Sequence, residues 1–314
     1  MTIDGYTQAG AHPNTKAEGN DAALKIVLNG TNVSGPGFEI PGFSSNDLIK
    51  GLVINRFTGA AGIHGTSVGN RVEGNFIGTT AGGKGDLGNG LAGVAISGSN
   101  DSSSNNVLGD SFSGGSNTIA FNGRDGVNIS GGLRNVIDGN SIFSNSGLGL
   151  DLADDGPTAN DSGYGDSGPN DLQNKPVLSS AKTIPGKTIV KGKLESQPDS
   201  GYTIQFFFNP SGTNEGKKCI GQKPIVNTDA SGNASFTFTP ATTVPVGQTI
   251  TATARAINLD AFHGDTSEFS APRKVTHGVF RRIIGSGLIR APTLLSGLSC
   301  PDAPATEIGV KEIR

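Results

Sequence analysis

The sequence predicts an all-β chain: a stacked β-solenoid followed by a small sandwich of immunoglobulin type. Three observations carry this. A short phrase, close to N-x-V/I-x-G-N-x-I, returns through the first half: NDLIKGLVI from Asn46, NRVEGNFI from Asn70, NNVLGDSF from Asn105 and NVIDGNSI from Asn135. The chain of 314 residues has 49 Gly, no Trp, one Met and only 34% hydrophobic residues, lean for a domain wrapped round one large core. The second half changes to longer alternating runs bounded by Pro, Gly and Asn, such as TIVKGKL and YTIQFFFN.

Each phrase alternates apolar with polar or small residues, so it reads as a strand with one buried face. In NRVEGNFI, Val72 points inward, Arg71 and Glu73 point out, and Gly74-Asn75 turns a corner before Phe76-Ile77 begins the next strand. A second phrase, G-x-x-I, falls between copies: GVAI at Gly93, GVNI at Gly126 and the variant GLDL at Gly149. Runs this short are below the length of helices. Comparable phrases step by about 24 to 35 residues, one coil of a solenoid plus variable loops, which gives roughly six coils. Asparagine at recurring corners tolerates left-handed backbone, and its amide can bond to the Asn one coil above. Ile, Val and Leu recurring in phase argue against a disordered Gly/Ser/Asn-rich chain.

The stretches TIDGYTQAGAHPNT, LIKGLVINRF, NFIGTTAGGKGDLGNG and SNSGLGLDLADDGPTANDSGYGDSGPNDLQNKPVL resemble bacterial right-handed parallel β-helix repeat proteins of pectate-lyase-like architecture. The resemblance covers about Met1 to Thr276. It implies a secreted or cell-surface protein with a right-handed parallel β-helix and a C-terminal immunoglobulin-like domain. The family is defined by its repeats, so the resemblance speaks to fold more than to activity. Its members start with a signal peptide and further coils, whereas this chain begins in mid-pattern at Thr2-Ile3-Asp4 and is expected to be N-terminally truncated.

Along the chain, residues 1–153 are expected to form the β-helix, with Thr79–Asn89 and Gly98–Asn106 as polar loops. Residues 154–174, with Gly156-Pro157, Gly168-Pro169 and no apolar period, read as an acidic linker or capping loop. Residues 175–276 carry six or seven alternating runs, the pattern of an immunoglobulin-like sandwich, though without Trp or a cysteine pair at immunoglobulin spacing. Such a domain suits the end of a solenoid, where open strand edges need covering. The tail, 277–314, is basic and apolar in GVFRRIIGSGLIR and then polar and acidic; it is expected to be poorly ordered. Gly285 and Gly287 interrupt any amphipathic helix there, and no stretch reaches the ~18 apolar residues of a membrane span.

A net charge of −3 and no basic stripe argue against nucleic acid as partner. Cys219 and Cys300 are read as free thiols, because nothing in their spacing demands a bridge. The N-terminus carries no charged and apolar export signal.

Polysaccharide-cleaving solenoids use outward carboxylates and an Arg or Lys on neighbouring coils. The outward candidates are Lys50, Arg56, His64, Arg71, Glu73, Asp110, Arg124, Asp125 and Asp138. Glu73, Asp138 and Arg56 are the candidate catalytic residues. Glu73 and Asp138 hold equivalent places in two copies, on one face and two coils apart, roughly 10 Å at about 4.8 Å per coil. Lys50 and Leu108 fill the same slot in other copies, which reads as a permissive surface position. Arg56 reads as a solvated rim residue at a strand end, and Arg124-Asp125 as a local turn pair. His64 and His12 have no serine or cysteine partner in any motif. The candidate Ca²⁺ ligands are Asp151, Asp154, Asp155, Asp161 and Asp166, in an oxygen-rich, glycine-containing loop that matches no EF-hand or nonapeptide repeat. A solvated linker is the plainer reading of that loop.

The expected function is an extracellular structural or adhesive module that meets carbohydrate or a cell-surface or matrix component, with no required cofactor. The alternative is a polysaccharide lyase or glycoside hydrolase working in an outer groove.

Overall fold

The computed structural model describes residues 1–278, apart from 17–18, 99, 112–113, 163–164, 211–214 and 258–263; beyond them it describes only residues 283–284 and 287–288. The described chain is all-β. The first coil consists of β1 (Thr2–Asp4), β2 (Ile26–Asn29) and β3 (Phe38–Ile40), and the second of β4 (Leu48–Lys50), β5 (Leu52–Asn55) and β6 (Ile63–Gly65). The third is β7 (Arg71–Glu73), β8 (Phe76–Ile77) and β9 (Val94–Ile96); the fourth is β10 (Val107–Leu108), β11 (Thr118–Ala120) and β12 (Val127–Ile129). The fifth is β13 (Val136–Ile137), β14 (Ser141–Phe143) and β15 (Leu150–Leu152).

Equivalent strands of successive coils pair in parallel, so the chain visits three five-stranded sheets in turn, an arrangement consistent with a parallel β-helix. Among the described residues there are five coils where roughly six were expected. Dividing by the shorter repeat step overcounts, because the third coil carries both polar inserts, Thr79–Asn89 and Gly98–Asn106.

In-register columns of aliphatic side chains fill the interior. Ile49, Val72, Leu108 and Ile137 stack on the first sheet, and Ile54, Ile77, Ile119 and Ile142 on the second. Val94, Val127 and Leu150, with Ile96, Ile129 and Leu152, complete the core from the third. Each such side chain contributes about 1.5–3 kcal/mol by leaving water.

Register corrects one assignment. Leu108 pairs with Val72, not Glu73, and is buried. The place beside Glu73 belongs to Gly109, whose φ is +84° and whose Cβ would lie 2.3 Å from the Asp138 carbonyl oxygen. A side chain there would push neighbouring coils apart.

Asparagine ladders join the coils at their corners. Asn70 Oδ1 accepts the Asp47 amide, Asn106 that of Asn70, and Asn135 that of Asn106. The same passing-on runs through Asn75, Asn117 and Asn140, and through Asn89, Asn122 and Asn145. All nine are buried or nearly so, which satisfies backbone groups that three-residue strands leave without partners.

The second half contains β16 (Val177–Ile184), β17 (Lys187–Glu195), β18 (Gly201–Asn209), β19 (Lys218–Asn227), β20 (Asn233–Phe238), β21 (Thr249–Ala256) and β22 (Arg273–His277). The number of strands meets expectation, but the two separate sheets of an immunoglobulin sandwich are not formed. One mixed sheet runs β19-β18-β21-β22-β16-β17-β20. The strand β22 joins its halves, pairing antiparallel with β21 and parallel with β16. The sheet curls on its own apolar core, where Phe206 of β18 stacks on Phe238 of β20 with ring centroids 4.1 Å apart.

This half closes the end of the coil stack, and its side chains stand where a sixth coil would. Asn170, from the segment expected to be a linker, accepts the Asn135 amide at 2.9 Å and extends that ladder by one rung. Glu215 ends the Asn89–Asn122–Asn145 ladder by accepting the Asn145 amide at 3.1 Å. Gln205 accepts from Gly139, Thr266 Oγ1 from Ile137, and Glu268 from Leu152. Gly216 exchanges both backbone hydrogen bonds with Ile142. The exposed strand edge of the last coil is thereby paired off rather than left as a template for another chain.

Residues 279–314 form a separate unit, of which a two-stranded antiparallel pair is described. Cys300 and nearly all of the tail whose order was in question lie outside the described residues. Cys219 carries no disulfide among the described residues, and burial pushes its thiol up to about 11.

Candidate functional site

Three sites hold the chemistry-bearing residues. On the outer face of the first sheet, Asp4, Lys50 and Glu73 stand in register on adjacent strands. Lys50 Nζ lies 3.1 Å from Asp4, and Glu73 pairs with Arg71. The slot that tolerates opposite charges in sequence thus holds one cross-strand ion pair, Asp4–Lys50, and Glu73, whose partner Arg71 lies on its own strand. Asp138 lies two coils from Glu73, as register predicts, but Gln205 of the second half covers it: Gln205 and, from the neighbouring coil, Ser111 both donate to its carboxylate. Burial raises its pKa, and the nearby Arg255 works against that rise. Arg56 is exposed at the corner after β5 on the second sheet, with φ of +61°. No hydrogen bond or ion pair joins Glu73, Asp138 and Arg56.

A cleft of about 430 Å³ opens along the same sheet's corner, lined by Asn46, Val68, Gly69, Arg71, Asn105 and Val107. The Arg71 side chain is 48% exposed beside it.

The second site is acidic. Asp151 and Asp154 come together with Asp125, each offering an oxygen within 4.8 Å of the others. Asp155 and Asp166 are exposed and stand outside this group, as does Asp161, which caps the Gly165 amide at 2.5 Å. Asp125 is drawn in by stacking: it lies just ahead of β12, whose Asn128 pairs with Asp151 of β15. Arg124 and Asp125 do not pair as a turn. Arg124 bonds to Asp154 at 2.8 Å, and Asp125 accepts the Leu148 amide at 2.7 Å. Asp151 is 4% exposed; one carboxylate oxygen accepts from Gly156 while the other has no hydrogen-bond partner. Burial first, then the Asp125 carboxylate, pushes its pKa up to about 6. An orphaned buried carboxylate oxygen beside two further carboxylates is the donor set of a hard divalent cation, so the residues fit Ca²⁺.

The third site overturns an expectation. His64 does have a serine partner. Its Nδ1 lies 3.0 and 2.9 Å from the two Glu39 carboxylate oxygens, and its Nε2 lies 2.7 Å from Ser97 Oγ. Glu39 comes from β3, His64 from β6 and Ser97 from the end of β9, so three successive coils each supply one member. A carboxylate only accepts, so Nδ1 carries the proton and, in the neutral ring, Nε2 accepts from the serine hydroxyl. Nothing local in the sequence marks this trio, since the partners stand 25 and 33 residues from His64. The available signal was register: Glu39 is the direct cross-strand neighbour of His64.

Among the described residues, no helix is long and apolar enough to cross a membrane. No protein-family model matches the chain, and no curated protein matches it.

Proposed function

We propose that the protein is an extracellular structural and adhesive module: a right-handed β-helix closed at one end by a cap built on one curled mixed sheet, meeting polysaccharide or matrix through its outer faces. The observation that carries this reading is the replacement of the next ladder rung by Asn170 and Glu215. A stack held at its end by such bonds is a rigid support for side chains displayed along its length. The lyase or hydrolase alternative loses its footing, because Glu73 is tied to Arg71 and Asp138 lies under the cap.

The binding surface in this reading is the cleft beside Arg71, whose guanidinium, half exposed and held by Glu73 on one side, offers its remaining donors to the carboxylates of an acidic glycan. Immobilised acidic and neutral polysaccharides, probed with the purified chain, should retain it in a salt-dependent way. Arg71→Ala should weaken retention on acidic glycans about tenfold. Release of unsaturated products or new reducing ends, abolished by Glu73→Gln or Asp138→Asn, would contradict the reading and make the chain a polysaccharide lyase or hydrolase.

Calcium at Asp125, Asp151 and Asp154 belongs to the same reading, as a brace of the last coil. Asp151 has a folded-state pKa above its unfolded value. Without metal, the folded chain therefore holds an extra proton between the two values, and stability falls as pH rises through about 6. Melting temperatures in chelator should decline between about pH 4 and about pH 6 and level off above it, and millimolar calcium should offset that loss. Asp151→Asn should flatten the chelator profile and abolish the calcium effect. A profile indifferent to calcium would remove the brace.

A further inference from the structure

We propose that Glu39, His64 and Ser97 form a nucleophilic relay that cleaves carboxylic esters of small acyl groups. The proposal stands on the geometry of these residues and uses no part of the glycan-binding reading.

A serine becomes a nucleophile when a base takes its proton and a third group orients that base. All three parts are present at bonding distance. Ser97 Oγ is 2.7 Å from His64 Nε2, and Glu39 holds the opposite ring nitrogen at 2.9 Å. The scaffold fixes them. Glu39 and His64 are held in register by β3 and β6, and the Ser97 amide is anchored to the Gly65 carbonyl at 2.9 Å. The Ser97 carbonyl accepts the Ser103 hydroxyl at 2.5 Å. Parts mounted on paired strands keep their spacing better than parts mounted on loops.

The transition state also needs donors for a developing oxyanion. With the Ser97 amide already used, the next backbone donor is Gly98, which gives its N–H to no partner among the described residues. A Cβ there would lie 2.1 Å from Ser103 Oγ and 2.5 Å from Ser102 Oγ, so two serine hydroxyls stand close to Gly98. The Ser102 hydroxyl thus lies beside Gly98, where it can act as a second donor.

Exposure selects the substrate. The His64 and Glu39 side chains are 32% and 50% exposed. A relay that opens to solvent suits a small acyl group, such as acetyl, carried on a large or polymeric alcohol. In the first step Ser97 Oγ bonds to the acyl carbon, its proton passes to His64 Nε2, and the ester C–O bond breaks as the alcohol takes that proton. Water then attacks the acyl-serine, gives its proton to His64, and releases the acid with Ser97 restored.

The test is hydrolysis of p-nitrophenyl acetate by the full chain, together with labelling by a fluorophosphonate located by mass spectrometry. Wild type should turn over the acetate ester and take one label, at Ser97. Ser97→Ala should lose the label and at least about a hundredfold in rate, and His64→Gln a similar factor. Glu39→Gln should keep Ser97 in place and lose at least about tenfold in rate. All three sites are on the surface, so unchanged melting temperatures will separate lost chemistry from lost folding. Turnover that survives Ser97→Ala, label at another residue, or no label and no turnover in folded wild type each overturns the relay.

Discussion

Glu215→Ala should destabilise the chain by about 3–5 kcal/mol, measured by chemical denaturation, since three donors lose a charged acceptor in a buried place. The Glu215 carboxylate accepts the Ser144 amide at 2.5 Å, the Asn145 amide at 3.1 Å and Asn145 Nδ2 at 3.0 Å. It is 5% exposed. Burial raises its pKa, and the bonds from Asn145 and Ser144 hold that rise back. Alanine leaves the last coil's ladder unfinished, with nothing near to take its place. Glu215→Gln keeps one acceptor oxygen and should recover roughly half of the loss.

A comparable loss, again about 3–5 kcal/mol, is expected of Asn117→Ala in the middle of a ladder. Asn117 Oδ1 accepts the Asn75 amide at 2.9 Å and Asn75 Nδ2 at 3.1 Å. Its Nδ2 donates to the Val72 carbonyl at 2.7 Å and to Asn140 Oδ1 at 2.9 Å. The residue is fully buried, so the orphaned groups have no access to water. The exposed Asn29, which only caps its own turn at Thr31, is the control: Asn29→Ala should stay within about 0.5 kcal/mol. Urea melts of the two variants separate a structural ladder from asparagines that merely suit the turns.

Much of the solenoid was legible because the coil repeats itself. The alternation in NRVEGN places Val72 inside and Glu73 outside, and the recurring Asn points to the ladders. The slip at Leu108 has a local cause: NNVLG offers two asparagines, and Asn106 rather than Asn105 takes the ladder rung. The cap was legible as a need of the open end, but its contacts were not. Glu215 and Thr266 meet the last coil from far along the chain, 70 residues beyond Asn145 and 129 beyond Ile137.

The candidate sites were half legible for the same reason. Asp151 and Asp154 lie close in sequence, so the acidic loop drew attention to them, whereas Asp125 joins them only through the pairing of β12 with β15. The Glu39–His64–Ser97 trio is assembled wholly by stacking, one residue per coil. In such a fold, chemistry is written across the repeat and local motifs are blind to it.

Amide hydrogen exchange on the wild-type chain and Glu215→Ala tests the central claim, that the second half completes the last coil, most directly. The account predicts strong protection at Ser144, Asn145 and Leu152 in wild type. In the variant, exchange should accelerate at Ser144 and Asn145 while Val72 and Ile77, in the third coil, stay protected. Rapid exchange of the last coil in wild type, or a variant indistinguishable from it, would contradict the account.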